Sequence, residues 1–295
     1  MPWEFRHVAG PFEFTEGPTW DGNGILFTDI PTSRILRYVP DTGKTERFRT
    51  DTREANGLKI GPDGALYACQ GPPGKRIVRY VDGTETPVIE TYDGAPFNSP
   101  NDLGFDDTGR LWFTDPRYGE YDALPQDCQA VYRADPRSNG SWEIERVASD
   151  TTKPNGILVS PAGDTLYVAQ TDPAPDAPME LRAYPIENGG LGEYRVLFDF
   201  GPHRGIDGMC LDAEGNVIAT AGSDESGPGP MLYVFAPSGR VLETHPFPGS
   251  FPTNCTFGGP DHRTLFVTGD GSLYAAPTDR QGYRSDPPNP RTSRD

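Results

Sequence analysis

Six oxygen-bearing side chains recur along the 295-residue chain at comparable intervals, separated by 40, 45, 54, 52 and 46 residues. They are Glu16, Asn56, Asn101, Asn155, Asp207 and Thr253. Carboxylate and amide oxygens are the ligands that a hard divalent cation prefers, and Ca²⁺ takes about six to eight oxygens. Asn and Asp before glycine often serve only as turn formers, but a glutamate has no such role. These six residues occupy the same position in six successive repeats of the sequence, and we call them the column. Gathered in one place, they would suit a divalent cation.

The residues around each member of the column follow one pattern. A polar residue precedes a short apolar strand, a Gly/Asp turn follows about six residues later, and a second apolar strand comes next, as in NDLGFDDTGRLWFTD from Asn101. A third β-rich run, such as RILRYV (34–39), and a weaker fourth, such as TERFRT (45–50), complete the unit. Four strands per unit at this period are typical of a propeller blade. The sequence therefore predicts an all-β fold, a six-bladed β-propeller with four-stranded blades around a central metal-binding channel.

The sixth unit has no convincing fourth strand after SLYAAP (272–277), whereas an extra strand, WEFRHVA (3–9), precedes the first unit. We expect this N-terminal strand to close the last blade, which removes an exposed sheet edge. A β-sandwich or jelly roll is the rival architecture, but neither demands six equivalent turns in register. The prediction is one propeller domain over residues 1–295, with 280–295 as a loop-like tail.

In a propeller the first strand of each blade is innermost, so the six column residues would ring one end of the channel. Two bare carboxylates facing each other there would repel, and their burial is costly. A cation held by Glu16, Asn155 and Asp207, with Asn101 alongside, resolves both problems. Ca²⁺ fits best, and Zn²⁺, Mg²⁺ and Mn²⁺ remain alternatives. Zinc is less favoured because none of the four histidines has HxH or HExxH spacing.

The loops that follow each second strand lie at the same end of the channel, because the second strand runs antiparallel to the first. Arg117, Tyr118 and Tyr121 follow the second strand of the third unit and are candidates for substrate contact. The segments before the first strands join this rim, including Phe97, Asn98 and Ser99 in the third unit and His203 and Arg204 in the fifth. The roles of Gln170 and His203 stay open.

Composition narrows the classes of function. The net charge of −17, from 43 acidic and 26 basic residues, argues against a nucleic-acid surface and is compatible with cation binding. No apolar run approaches the roughly 20 residues of a membrane span, and the N-terminus has no signal-peptide core. The four cysteines are far apart and form no CxxC, which is typical of free thiols in a reducing cytosol. We expect a cytoplasmic monomer or weak homo-oligomer that binds a small molecule, with no nucleic-acid or membrane partner.

The chain resembles the SMP-30/gluconolactonase/LRE (regucalcin-like) family over nearly its whole length, and is closest to the bacterial gluconolactonase-type members. The most specific stretch is NSPNDLGFDDTGRLWFTDPRYG (98–119). It is supported by EGPTW (16–20), KPNGILVSPAGDTLYVAQ (153–170), IDGMCLDAEGNVIATAG (206–222) and TNCTFGGPDHRTLFVTG (253–269). The resemblance implies a six-bladed propeller that hydrolyses sugar lactones with a divalent metal.

The family's motifs place its metal ligands on Glu16, Asn155 and Asp207, and a further ligand or substrate contact on Asn101. The resemblance also implies that Asp207 doubles as the catalytic base. The sequence departs from the family pattern at three rim positions, where Ser99 replaces an arginine of the regucalcin-like branch, Arg117 replaces a common proline, and Gln170 replaces a common aspartate. These departures prevent a direct transfer of substrate preference.

The leading hypothesis is a metal-dependent lactonase in which the cation polarises the carbonyl of an aldonolactone. Asn101, Ser99, Arg117 and Tyr118 would bind the substrate. One alternative is an organophosphate-hydrolysing phosphotriesterase with the same fold and metal ring. The other is a non-catalytic propeller, either a calcium-binding protein or a scaffold for partners.

Overall fold

The structure is a computed structural model that describes residues 2–119, 123–187 and 189–284. In these residues all regular secondary structure is β-strand. A sequence with 35 glycines and 32 prolines favours short strands and tight turns over long helices. None of the described segments forms a helix that is long and apolar enough to cross a bilayer.

A short strand, β1 (Arg6–Ala9), precedes the first blade, and each blade is an antiparallel sheet in chain order. The first blade contains β2 (Thr15–Trp20), β3 (Ile25–Asp29), β4 (Arg34–Val39) and β5 (Lys44–Thr50). The second contains β6 (Ala55–Ile60), β7 (Leu66–Gln70), β8 (Arg76–Val81) and β9 (Thr84–Ile89). A small hairpin of β10 (Thr91–Tyr92) and β11 (Ala95–Pro96) then leads to the third blade, β12 (Leu103–Phe105), β13 (Leu111–Asp115), β14 (Ala130–Pro136) and β15 (Trp142–Ala148).

The second half of the chain repeats the arrangement. The fourth blade is β16 (Pro154–Val159), β17 (Thr165–Thr171), β18 (Met179–Glu187) with the short β19 (Gly190–Leu191) at its end, and β20 (Arg195–Asp199). The fifth is β21 (Ile206–Leu211), β22 (Val217–Ser223), β23 (Ser226–Phe235) and β24 (Val241–Pro246). The sixth takes β25 (Pro252–Gly258), β26 (Thr264–Gly269) and β27 (Ser272–Pro277). The predicted six-bladed β-propeller is confirmed.

The fourth strand of the sixth blade comes from the N-terminus. Strand β1 pairs antiparallel with β27, with Arg6 opposite Ala275. Just before it, the Trp3 ring stacks on the His245 ring at 3.8 Å, and the Trp3 backbone N–H donates to His245 Nδ1 at 3.0 Å. The start of the chain is therefore joined both to the sixth blade and to β24 of the fifth.

The C-terminal residues 280–284 form no strand but are anchored at the face of the ring opposite the column. The Tyr283 N–H donates to Leu211 O at 2.9 Å, and the Gly282 N–H donates to His262 O at 2.8 Å. The Arg280 guanidinium pairs with Asp212 at 2.6 Å. This segment links the fifth and sixth blades, and residues 285–295 lie outside the described residues.

The core lies between neighbouring blades. Alternate side chains of a second strand point to opposite neighbours, because side chains alternate along a strand. In β13, for example, Trp112 packs with Ile157 of the fourth blade, whereas Phe113 packs with Ile77 of the second. The second strands are consequently buried on both sides, and the packed blades hold the innermost strands in place.

Threonine hydroxyls on four of the second strands fix the innermost strand of the next blade in place. The hydroxyls of Thr28, Thr114, Thr171 and Thr220 donate to carbonyls of the next blade, namely those of Asn56, Asn155, Ile206 and Thr253. Thr253 closes the ring by donating to Thr15 O at 2.8 Å. These bonds set the register of the innermost strands at the height of the column.

Candidate metal centre and active site

All six column residues lie at or near the beginning of an innermost strand. Glu16 and Asn155 are buried, and Asp207 and Asn101 are half-buried. The carboxylate of Asp207 raises the pKa of Glu16 electrostatically, and the Asn155 amide interacts with Asp207. Glu16, Asn155 and Asp207 therefore lie together at one end of the channel.

Glu16 is held by two donors on one of its oxygens. Its Oε2 accepts hydrogen bonds from the Gly17 N–H at 2.7 Å and from Asn254 Nδ2 at 3.0 Å. In the described part of the chain, no group donates to Oε1. Burial, and then the negative charge of Asp207, raise the pKa of Glu16 well above its ordinary value. A bound cation would relieve both effects.

Asp207 is paired with an arginine that lies three residues earlier. Arg204 Nη2 donates to Asp207 Oδ2 at 2.6 Å. Burial raises the pKa of Asp207, whereas the charge of Arg204 and a hydrogen bond from Asn155 oppose that rise. The sequence placed Arg204 on the rim, but its contact with Asp207 was missed.

Asn155 is oriented by Tyr118. Asn155 Nδ2 donates to the Tyr118 hydroxyl at 3.0 Å, and that hydroxyl donates to Thr171 O at 3.3 Å. Burial raises the pKa of Tyr118, so the phenol stays protonated at neutral pH. With its nitrogen engaged, the Asn155 amide has its oxygen as the atom that could bind a cation. Tyr118, predicted only as a substrate contact, therefore reaches the column itself.

A second polar layer lies directly beneath the column, and the sequence analysis missed it. The residues that follow the column members are glycine in four blades but Asp102 and Asn254 in the other two. A methyl group at Gly208 would lie 2.0 Å from Asn254 Cγ, and one at Gly57 would lie 2.7 Å from Asp102 Oδ1. The glycines therefore make room for these two side chains. The signal was in the aligned repeats, where the glycine that follows the column residue is replaced by Asp102 after Asn101 and by Asn254 after Thr253.

Asp102 adds a third carboxylate to the channel. Burial raises its pKa to about 6, against the opposing charge of Lys59. A cavity of about 20 Å³ beneath this layer is lined by Asp102, Lys59 and Asn254 among others. This space is sufficient for a water molecule. The carboxylates of the channel are therefore stacked in two layers.

The rim residues are held mainly through their backbones. Asp115 accepts the backbone N–H groups of Asn98 at 2.9 Å and Ser99 at 2.7 Å. The Arg117 N–H donates to Gln129 Oε1 at 2.6 Å. Ser99 and Arg117 are half-buried, whereas His203 is exposed. Tyr121, a predicted contact, lies outside the described residues.

Gln170 occupies the same position in its blade as Asp115 does in the third. Its Oε1 accepts the N–H groups of Thr152 at 3.0 Å and Lys153 at 3.3 Å. The buried amide thus fixes the loop before β16, which carries the approach to Asn155. Replacing the carboxylate with an amide preserves the acceptor, so this departure from the family pattern keeps the loop in place.

The donor set fits an oxygen-preferring divalent cation. It combines the buried carboxylate of Glu16 and the half-buried carboxylate of Asp207 with the amides of Asn155 and Asn101. Across residues 2–119, 123–187 and 189–284, no group of three or more His, Cys, Asp or Glu side chains gathers in a way that could hold a metal. A mixed carboxylate–amide set without thiolate or imidazole resembles Ca²⁺ ligation more than Zn²⁺ ligation.

Comparison with known proteins agrees with this architecture. The sequence model of the family described as SMP-30/gluconolactonase/LRE-like region matches residues 14–270 of this chain. The chain belongs to this family. A gluconolactonase of Zymomonas mobilis is 32% identical over 292 residues, which cover 88% of this chain and 77% of that protein.

Solved structures of the family share the fold. A gluconolactonase from Xanthomonas campestris is 28% identical with a TM-score of 0.81, covering 93% of this chain and 89% of its own. A calcium-binding protein, regucalcin, from Agrobacterium tumefaciens has a TM-score of 0.76 at 19% identity and covers 96% of both chains, a similarity of fold. The family resemblance predicted from the sequence is confirmed.

Proposed function

We propose that this protein is a lactonase that opens aldonolactones and depends on a divalent cation held at the column. One observation carries the proposal, namely that the buried carboxylate of Glu16 and the half-buried carboxylate of Asp207 interact beside Asn155 at one end of the channel. Membership of a family whose relatives include gluconolactonases supports the reaction class. The substrate class is a small sugar lactone.

Glu16, Asn155 and Asp207 would hold the ion, with Asn101 as a further ligand or a substrate contact. Their oxygen-only chemistry favours Ca²⁺, with Mg²⁺, Mn²⁺ and Zn²⁺ as alternatives. When bound, the cation supplies Lewis-acid polarisation of the lactone carbonyl. The neighbouring donors keep the ligands in place, since Asn254 holds Glu16 and Tyr118 holds Asn155.

Asp207 is the candidate for moving the proton. Its Oδ2 is engaged by Arg204, so Oδ1 is the atom that would accept a proton from the attacking water. Ser99, Arg117 and Tyr118 lie on the rim or beside the column, where they would contact the hydroxyl groups of the sugar. Asn101, just before the innermost strand of the third blade, would orient the ring above the ion.

A substrate panel tests this proposal. Gluconolactone, xylonolactone and a fluorophosphate are assayed with native protein, with EDTA, and with EDTA followed by excess Ca²⁺. We expect lactone opening that EDTA abolishes and Ca²⁺ restores. Faster turnover of the fluorophosphate would favour the phosphotriesterase, and Ca²⁺ binding without turnover of any substrate would favour a non-catalytic propeller.

Glu16→Gln and Glu13→Gln provide a matched pair for the same assay. Both changes remove one carboxylate, but Glu16 is buried in the channel whereas Glu13 is exposed three residues earlier. The proposal requires that Glu16→Gln lose lactone opening and that Glu13→Gln retain it. Equal activity in the two variants would contradict a metal site at Glu16.

A further inference from the structure

Arg204 is tied into the seam between the fifth and sixth blades, beside the column. Its Nη1 donates to Gly222 O at the end of β22 and to Pro252 O at the start of β25, both at 3.0 Å. Its backbone N–H donates to Ser226 Oγ at 3.1 Å. The guanidinium is therefore anchored on two blades independently of its contact with Asp207.

The same guanidinium compensates charge at the site. Three carboxylates, Glu16, Asp102 and Asp207, lie in this part of the channel and raise one another's energy electrostatically. Within the described residues, only Asp207 of the three has a cationic partner within 4 Å, and that partner is Arg204 at 2.6 Å. Because its Nη1 is fixed on two carbonyls, the guanidinium is held in place beside Asp207.

We propose that Arg204 is a resident counter-cation and positioning residue for Asp207. It occupies Oδ2 and leaves Oδ1 for the proposed ion, and its positive charge weakens divalent-cation binding so that the ion stays exchangeable. The inference rests on the proposed function, since it concerns the same metal site. A charge a few ångströms from a bound divalent cation changes its affinity substantially even where water screens the interaction.

The competing role is purely structural. An arginine that only ties two carbonyls across a blade seam would, when removed, lower stability and leave cation affinity unchanged or weaker. The proposed role gives the opposite sign, because removing a like charge next to the site makes cation binding tighter. The sign of the change in affinity therefore separates the two roles.

The test measures the Ca²⁺ dissociation constant by calorimetry on protein freed of metal with EDTA. Arg204→Gln removes the charge and is expected to bind Ca²⁺ about tenfold more tightly. Arg204→Lys keeps the charge and is expected to bind within about threefold of wild type, but to lose kcat, because an ammonium cannot make the same three contacts. Arg34→Gln is the control, since Arg34 pairs with Asp29 in the first blade at 2.6 Å, and its affinity should not change.

A second measurement needs no metal. In EDTA, Arg204→Gln should have a lower melting temperature than the wild type. The same substitution should cause a smaller decrease in an Asp207→Asn background, where there is no carboxylate charge to compensate. Ca²⁺ binding by Arg204→Gln that is equal to or weaker than that of wild type would overturn the proposal. If the wild type binds no Ca²⁺ at all, the proposed function fails, and an absent coupling in EDTA would then also remove Arg204 as a positioning residue.

Discussion

At the scale of single residues, Asn254 holds Glu16 from the layer beneath. Its Nδ2 donates to Glu16 Oε2 at 3.0 Å, while its Oδ1 accepts the Cys255 N–H at 2.8 Å. Asn254→Ala removes both bonds in a buried site, so we expect a loss of about 1–3 kcal/mol in the free energy of unfolding and weaker Ca²⁺ binding.

Urea unfolding and calorimetric titration of Asn254→Ala measure these two effects. Asn56→Ala is the control, because Asn56 lies in the column but its side chain donates no hydrogen bond to the carboxylate of Glu16 or of Asp207. If both variants bound Ca²⁺ like the wild type, Asn254 would have no part in holding Glu16 for the ion.

Asp207→Asn separates a ligand from a proton acceptor. The amide keeps an oxygen of similar shape but loses the charge and the proton-accepting capacity. If Asp207 is the base, kcat at saturating Ca²⁺ should stay lower by about 10²–10⁴-fold, the usual loss for a positioned proton acceptor. Asn155→Ala, which removes a neutral ligand, should be largely rescued by excess Ca²⁺. Steady-state kinetics over a Ca²⁺ series give the answer, and full rescue of Asp207→Asn would assign Asp207 to ion binding alone.

The column residues could be predicted from the sequence because they recur in register, with Glu16 standing out among amides as no turn former. The contacts that hold them could not. Arg204 reaches Asp207 because carbonyls of β22 and β25 fix its guanidinium, and those carbonyls come from segments about 18 and 48 residues away. Local sequence carries no trace of such a tertiary arrangement.

At the scale of the elements, the residue that ends a second strand fixes the loop that precedes the first strand of the same blade. Asp29 and Asp115 both do this, each accepting two backbone N–H groups. Asp29 also pairs with Arg34 at 2.6 Å, whereas no cation lies within 4 Å of Asp115 among the described residues. The two equivalent carboxylates therefore titrate differently.

Burial raises the pKa of Asp115 to about 7, whereas hydrogen bonds from Thr32 and Arg34 outweigh burial and hold the pKa of Asp29 below its ordinary value. A folded-state pKa above the unfolded value means that stability is present at low pH and is lost as pH rises from about 4 through 7. For Asp29 the sign is reversed, and its contribution is present above about 4 and lost as pH falls.

We therefore expect the free energy of unfolding of the wild type to fall by at most about 4 kcal/mol between pH 4 and 7 because of Asp115. In Asp115→Asn this fall should be absent. Asp29 should instead make the free energy of unfolding of the wild type fall as the pH drops below about 4. In Asp29→Asn that contribution should be absent. Urea unfolding across this pH range, in EDTA, measures both. Parallel pH profiles for the two variants would show that the arginine beside Asp29, which has no counterpart beside Asp115, does not make the two carboxylates titrate differently.

At the scale of the whole molecule, the ring is closed by its N-terminus. Trp3 is buried, stacks on His245 and donates from Nε1 to Asp279 Oδ1 at 3.4 Å. Trp3→Ala should lower the free energy of unfolding by about 3–5 kcal/mol, as is usual for a buried tryptophan. Urea denaturation measures the loss, with Phe48→Ala on the exposed outer strand β5 as the control. Equal losses would show that closure at Trp3 contributes little.

The architecture was predictable because each blade repeats the same strand–turn–strand pattern, and six repeats reinforce a signal that is weak in one. The missing fourth strand after residue 277 and the extra strand at the N-terminus also belong to this pattern. The anchoring of residues 280–284 was not predictable, since they belong to a Pro- and Arg-rich tail, 280–295, that gives no strand signal. Its hydrogen bonds to Leu211 and His262 depend on where the ring has already placed the fifth and sixth blades.

The dependence of catalysis on a bound cation is tested most directly by the initial rate of gluconolactone opening by EDTA-treated protein as Ca²⁺ is added back. We expect a rate no faster than the uncatalysed reaction in EDTA and a saturable rise that reaches its plateau with one ion bound per chain. We also expect no rise for Glu16→Gln over the same range. Full activity in EDTA, or a wild-type rise in Glu16→Gln, would contradict a lactonase that works through a cation held by Glu16, Asn155 and Asp207.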